Sequence, residues 1–331
     1  MPGWTTGARA RILSAPGGAT PTRTHPPMRY RYHTLDVFTD RVFGGNPLAV
    51  FPDGRGLSTE QMQRVAAELN LSETVFVLPA ETEAGTRKLR IFTPAVELPF
   101  AGHPTVGTAV LLGETGAVPE DVQNIVLEET VGPVAVRIWR EAGRPTFAQL
   151  TAAQAPEFGP PPPAPAELAR VIGLDESDLL DGEWAPGTAS CGVPFVIVPV
   201  RSREALARVR MDQGAWERVL ADTWAPHLYI VAPGAEGADL RARMFAPAMG
   251  LGEDPATGAA ATALAAYLAR RENGEPSTHR WTVEQGVEMG RPSTLYLEAE
   301  VEAGSITAIR VGGSAVLVGQ GWMEIPSDVS T

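Results

Sequence analysis

The chain repeats itself. Gly45-Asn-Pro-Leu-Ala-Val-Phe-Pro52 returns as Gly192-Val-Pro-Phe-Val-Ile-Val-Pro199, and Thr74-Val-Phe-Val-Leu-Pro79 returns as Leu228-Tyr-Ile-Val-Ala-Pro233. Arg90-Ile-Phe-Thr-Pro94 matches Arg243-Met-Phe-Ala-Pro247, and His103-Pro-Thr-Val-Gly-Thr-Ala109 matches Asp254-Pro-Ala-Thr-Gly-Ala-Ala260. One such match alone would be chance. Several in a single order point to a duplicated unit. The fold must therefore be one that two copies of the same unit build together.

Each copy reads alike. Short runs rich in Val, Ile and Phe (Pro47 to Phe51, Val75 to Leu78, Phe195 to Val200) predict strands. Ser58 to Glu68 and Glu204 to Arg208 have helical spacing. Each copy then reaches a Pro-Gly loop that opens a small-residue helix, Thr105 to Leu112 and Ala256 to Arg270. A helix apolar on nearly every face is a buried one, here inside a wrapped or barrel-like sheet. Further strands are expected at Arg280 to Glu284, Thr294 to Glu302, Ile306 to Val311 and Ala315 to Ile325. The Pro-rich stretch 156–167 predicts an extended spacer. The expectation is an α+β fold of two pseudo-symmetric domains, 28–155 and 168–303, with strands in 304–326 crossing back to complete the first.

Composition removes several function classes. A net charge of -12 leaves no basic face for nucleic acid. The one cysteine, Cys191, excludes a disulfide framework and a two-cysteine racemase mechanism, and fits a reducing cytoplasm. No apolar run is long enough to span a bilayer. Residues 1–27 carry Arg9, Arg11 and Arg23 and no acid. They read either as an organellar leader or as sequence upstream of a natural start at Met28, are expected to be disordered, and are set apart from the fold. There is no G-x-S-x-G elbow or P-loop, and no His or Cys spacing that suggests a metal, so no cofactor is expected.

The loops before the two small-residue helices carry the chemistry. Free N–H groups and the helix dipole attract anions at such ends. Two of them facing one cleft would hold a small carboxylate. His103 and Asp254 stand at these ends, each before a proline. Asp254 reads as a helix N-cap, with or without chemistry of its own. His103 reads as a proton-transfer group or as a satisfied loop histidine. Glu73, where a helix gives way to a strand, reads from its own context as a solvated side chain, and Asn46 as a turn residue.

Taken together, LDVFTDRVFGGNPLAVF, LNLSETVFVLP, FTPAVELPFAGHPTVGTAVLL and EDPATG resemble the PhzF-like family, named for an isomerase of phenazine biosynthesis. The resemblance runs from about Tyr32 to Ile325. It implies a diaminopimelate-epimerase-like fold, a cleft between two domains, a homodimer, and cofactor-free isomerisation of a small carboxylic acid. It also implies that Glu73 is the acid/base, assisted by His103 and Asp254. Asn46, Ser72, Gly102, Gly258 and Ala259 would line the substrate site. The family commonly has serine where this chain has Ala259, which keeps open a different substrate or a non-catalytic carboxylate-binding protein on the same scaffold. An unrelated anion-binding domain would instead keep Glu73, His103 and Asp254 apart.

Overall fold

The duplicated unit is legible strand by strand in the computed structural model, which describes residues 28–271 and 276–326. The first half runs β1 (Met28–Val37), β2 (Asn46–Phe51), α1 (Thr59–Leu69), β3 (Glu73–Leu78), β4 (Arg87–Phe92), β5 (Glu97–Leu98), α2 (Gly102–Glu114), β6 (Asn124–Glu129), β7 (Gly132–Glu141) and β8 (Arg144–Thr151). The second runs α3 (Pro165–Ile172), β9 (Gly187–Ser190), β10 (Pro194–Pro199), α4 (Arg203–Arg208), α5 (Gln213–Val219), β11 (His227–Pro233), β12 (Leu240–Ala246), β13 (Leu251–Asp254), α6 (Gly258–Ala269), β14 (Ser277–Gln285), β15 (Ser293–Glu302) and β16 (Ser305–Ile325). The expected leader, 1–27, lies outside the described residues.

Strand order reads β1-β2-β3-β4-β6-β7-β8-β16-β15-β14-β12-β11-β10-β9, a palindrome about the β8–β16 seam. Parallel pairs recur at matching places: β2 with β3 and β10 with β11, then β4 with β6 and β12 with β14. The far half of β16 pairs with β1 and shuts the first sheet on itself. A bridge between Glu157 and Ser190 ties the chain beyond β8 to β9 in the second. Inside each ring lies one helix. Val106 and Leu111 of α2, and Leu264 with the alanines of α6, are buried in one continuous core. Each large side chain so buried stabilises the fold by about 1.5–3 kcal/mol. Glycine and alanine on these helices let strand side chains approach; a Cβ on Gly107 would come within 2.6 Å of Val37. Smaller cores lie outside the rings, under α1 and under α3 to α5.

Several expectations need correction. Both central helices start elsewhere than their spacing suggests, at Gly102 and Gly258. Asp254 does not cap α6: it ends β13, paired with Met244, and Thr257 is the N-cap. Neither helix has a side-chain cap bond. The match of His103 with Asp254 is out of register. Gly102 abuts Gly258 across the seam, which makes Ala259 the counterpart of His103. Leu98 pairs with Ile91 as Asp254 pairs with Met244, so Leu98 is the counterpart of Asp254. The Arg90–Glu97 pair in one half and Arg243–Glu253 in the other confirm that alignment. The spacer 156–167 is partly ordered structure, because Pro165 opens α3 at the position where a missing N–H costs nothing. The two strands expected at Ile306 to Val311 and Ala315 to Ile325 are one, β16.

Candidate active site

Four elements bring the candidate residues together. β3 opens on Glu73, α2 carries His103 in its first turn, β2 opens on Asn46, and β13 ends on Asp254. All four side chains are buried. Asn46 Nδ2 donates to Asp254 Oδ1 and to the Ala256 carbonyl, both at 2.9 Å, and lies 3.3 Å from His103 Nδ1. The first half thus grips the second at the site. Arg291 adds a second grip, donating to Asp36 Oδ1 and to the carbonyls of Gly44 and Gly45 just before Asn46. Gly45 is in the left-handed region at φ +59°, where a Cβ would meet the Val37 carbonyl at 2.3 Å.

Glu73 Oε2 lies 3.2 Å from His103 Nε2, but the contact is neither an ion pair nor a hydrogen bond. Burial lowers the pKa of His103 to about 3, so the ring is neutral, and the positive end of α2 works in the same direction. The Pro47 carbonyl accepts from the imidazole. Since Nε2 has no partner, the donor is Nδ1, and Nε2 turns a lone pair toward Glu73. Burial, then the nearby charge of Asp254, push the Glu73 pKa well above the carboxylate range. Asp254 is also raised by burial, but Thr257, Asn46 and the Ala256 N–H donate to it and oppose the rise. The environment therefore separates two neighbouring carboxyls: Asp254 better able to hold charge, Glu73 better able to hold a proton.

The helix ends converge too. A Cβ on Gly102 would come within 2.6 Å of Gly258 Cα, so the absence of side chains here serves contact between the halves. Ser72 and Ala259 are half-buried beside Glu73 and Gly258. Glu253, next to Asp254, is turned away and forms a bidentate pair with Arg243. Cys191 is buried with its pKa pushed up to about 12, which leaves an inert thiol.

Sequence reasoning missed two groups. Gln285 ends β14 and bonds the Asp254 carbonyl, Thr257 and Tyr229. His227 opens β11 beside Phe195, as Glu73 opens β3 beside Leu48, and it is buried with Nδ1 unpartnered. The match of Thr74 with Leu228 already set His227 opposite Glu73, whereas only strand pairing places Gln285.

The model of the phenazine biosynthesis-like protein family matches residues 35–321. The chain belongs to that family. It is 40% identical over 299 residues to an uncharacterized isomerase of Mesorhizobium japonicum, covering 88% of this chain and 97% of the relative. It is 38% identical to the trans-2,3-dihydro-3-hydroxyanthranilate isomerase of Pseudomonas aeruginosa, covering 88% of this chain and 98% of that one. The crystal structure of a Bacillus anthracis phenazine biosynthesis protein of the PhzF family superposes with a TM-score of 0.80 at 28% identity, over 90% of this chain and 100% of that one. A hydroxyproline epimerase from Agrobacterium vitis, 13% identical with a TM-score of 0.60 over 92% and 93%, shares the fold. This PhzF-family chain is an isomerase on an epimerase-like scaffold. No helix among its described residues is long and apolar enough to cross a membrane.

Proposed function

We propose that this chain moves a proton between two carbon atoms of a small cyclic carboxylic acid, with Glu73 taking the proton and returning it. The observation that carries the reading is the facing pair Glu73 and His103, buried, 3.2 Å apart and without hydrogen-bond partners for the facing atoms. A carboxylate formed there has lost its water and is a stronger base than one in solvent. Removing a proton from carbon leaves an electron pair that a conjugated acid spreads onto its own carboxyl group. Returning the proton to a different carbon yields an isomer with no other atom gained or lost. His103, with Asp254 held in place by Asn46, would orient the substrate. The converging N-termini of α2 and α6 would hold its carboxylate.

The acid named for the Pseudomonas relative, trans-2,3-dihydro-3-hydroxyanthranilate, is the first substrate to test. In heavy water, turnover is expected to place deuterium on the product ring, and Glu73→Gln is expected to place none. Full exchange by Glu73→Gln would overturn the role of Glu73. Ala259 favours a second reading, a carboxylate-binding protein, for which calorimetry would show binding without exchange. A homodimer in a reducing cytosol accompanies the first reading, and light scattering of the purified chain tests the dimer.

A further inference from the structure

Glu129 ends β6, is buried, and takes no part in the steps above. Thr105 Oγ1 lies 2.7 Å from the Ala101 carbonyl and 2.5 Å from Glu129 Oε1. A hydroxyl owns one proton, and a carbonyl can only accept. The Thr105 proton therefore goes to Ala101. The shorter contact needs a proton from Glu129, which must then be a neutral acid. Glu129 Oε2 is buried without a partner, tolerable for the carbonyl oxygen of an acid and far more costly for a carboxylate.

The repeat gives an independent argument. Leu127 faces Arg87 across β6 and β4, and Val283 faces Leu240 across β14 and β12, so Glu129 is the counterpart of Gln285. Gln285 Oε1 accepts the backbone N–H of Thr257, the N-cap of α6. Glu129 stands in the same place against Ala101, the N-cap of α2, whose backbone N–H opposes the rise in its pKa. One half does with an acid what the other does with an uncharged amide.

We propose that Glu129 is held as a neutral carboxylic acid that donates to Thr105 and braces the first turn of α2, making it a positioning residue for His103. The link to catalysis rests on the reading of His103 given above. Among the described residues no cation is set against Glu129: on β7, Arg137 faces Asn124 at the far end of the strand pair and Arg140 donates to the Val122 and Pro119 carbonyls. On its own strand Glu128 bonds the Thr82 loop; on β4 Arg87 bonds backbone carbonyls and Lys88 pairs with Glu81; Arg90 pairs with Glu97 of β5; and His103 of α2 is neutral. Burial places the Glu129 pKa at about 8. The brace is therefore present below that pH and lost as pH rises through it.

The first test needs no substrate. An infrared difference between the unsubstituted chain and Glu129→Gln at neutral pH should contain the carbonyl stretch of a protonated carboxylic acid, lost at alkaline pH. Absence of that band overturns the proposal whether or not the chain has activity. The second test is the pH profile on trans-2,3-dihydro-3-hydroxyanthranilate. Glu129→Gln keeps an uncharged donor, so it should restore most of the neutral rate and lack the fall above pH of about 8. Glu129→Ala should lose about tenfold in kcat with a smaller change in KM. An alkaline limb identical in Glu129→Gln and the unsubstituted chain overturns the positioning role. Where Glu129→Ala fails to fold, Glu129→Asp takes its place. If that acid is not turned over, the proposed substrate fails, while the infrared band and the pH dependence of the thermal midpoint still decide the state of Glu129.

Discussion

Glu73 Oε2 and His103 Nε2 face each other at 3.2 Å inside the protein, with no hydrogen bond to settle either atom. The arrangement costs stability. Glu73 has a folded pKa raised above its unfolded value, so its favourable contribution is full below the ordinary carboxylate range and is lost as pH rises toward the folded pKa. Glu73→Gln removes that penalty. The variant is expected to melt higher than the unsubstituted chain at neutral pH while losing isomerisation by at least about a hundredfold. A lower melting temperature would show that Glu73 is a structural group.

The same shift sets the acid limb of activity. A base must be ionised to accept a proton, so rate should fall as pH drops through the raised pKa of Glu73, above the range of a free glutamate. His103, neutral down to about pH 3, contributes nothing to that limb. Profiles of kcat/KM for the unsubstituted chain and His103→Asn should share one acid midpoint, and a midpoint that moves with His103 contradicts the assignment.

Asn46→Ala removes two donors from buried acceptors, Asp254 Oδ1 and the Ala256 carbonyl. Leaving such acceptors bare costs about 1–3 kcal/mol. Thermal unfolding should show that loss, and kcat/KM should drop by about tenfold or more, because the bond joins the two halves at the site. Unchanged kcat/KM at reduced stability would confine Asn46 to a structural role.

Gly102→Ala places a Cβ 2.6 Å from Gly258 Cα, where only backbone stands in the way. Overpacking of this kind costs about 1–3 kcal/mol and would push the helix ends apart. Gly252→Ala, with nothing within 4 Å of its added Cβ, is the control. Equal activity and stability in the two variants would mean the helix ends do not meet.

Ala259→Ser adds a hydroxyl next to Gly258 at the start of α6. A hydrogen bond to a charged group contributes about 1.5–3 kcal/mol. KM for trans-2,3-dihydro-3-hydroxyanthranilate should fall by about tenfold if the residue meets its carboxylate. No change would place the substrate away from α6.

The repeat, the strands around Val50, Val75 and Val198, and the burial of both small-residue helices were readable because apolar period and composition carry them. The helix starts were not. Asp254 before Pro255 looks like a cap, yet ladder pairing with Met244 holds it in β13, and pairing is invisible in one local window. The similarity of HPTVG and DPATG then matched His103 to the wrong residue; the contact of Gly102 with Gly258 and the strand pairings of Leu98 and Asp254 correct it. Glu73 gave no local sign of its burial, since its strand is covered by β2, β4 and α2, all separate elements of the chain.

β16 has one more consequence. It lies between β15 and β8 and then runs along β1 as far as Ile325, so each ring depends on it. During synthesis neither ring can shut until that strand leaves the ribosome, and the face of α2 that packs on β16 stays uncovered until then. A chain stopped before Ser305 is therefore not one finished domain beside one broken one. It is two open sheets, each with an exposed edge.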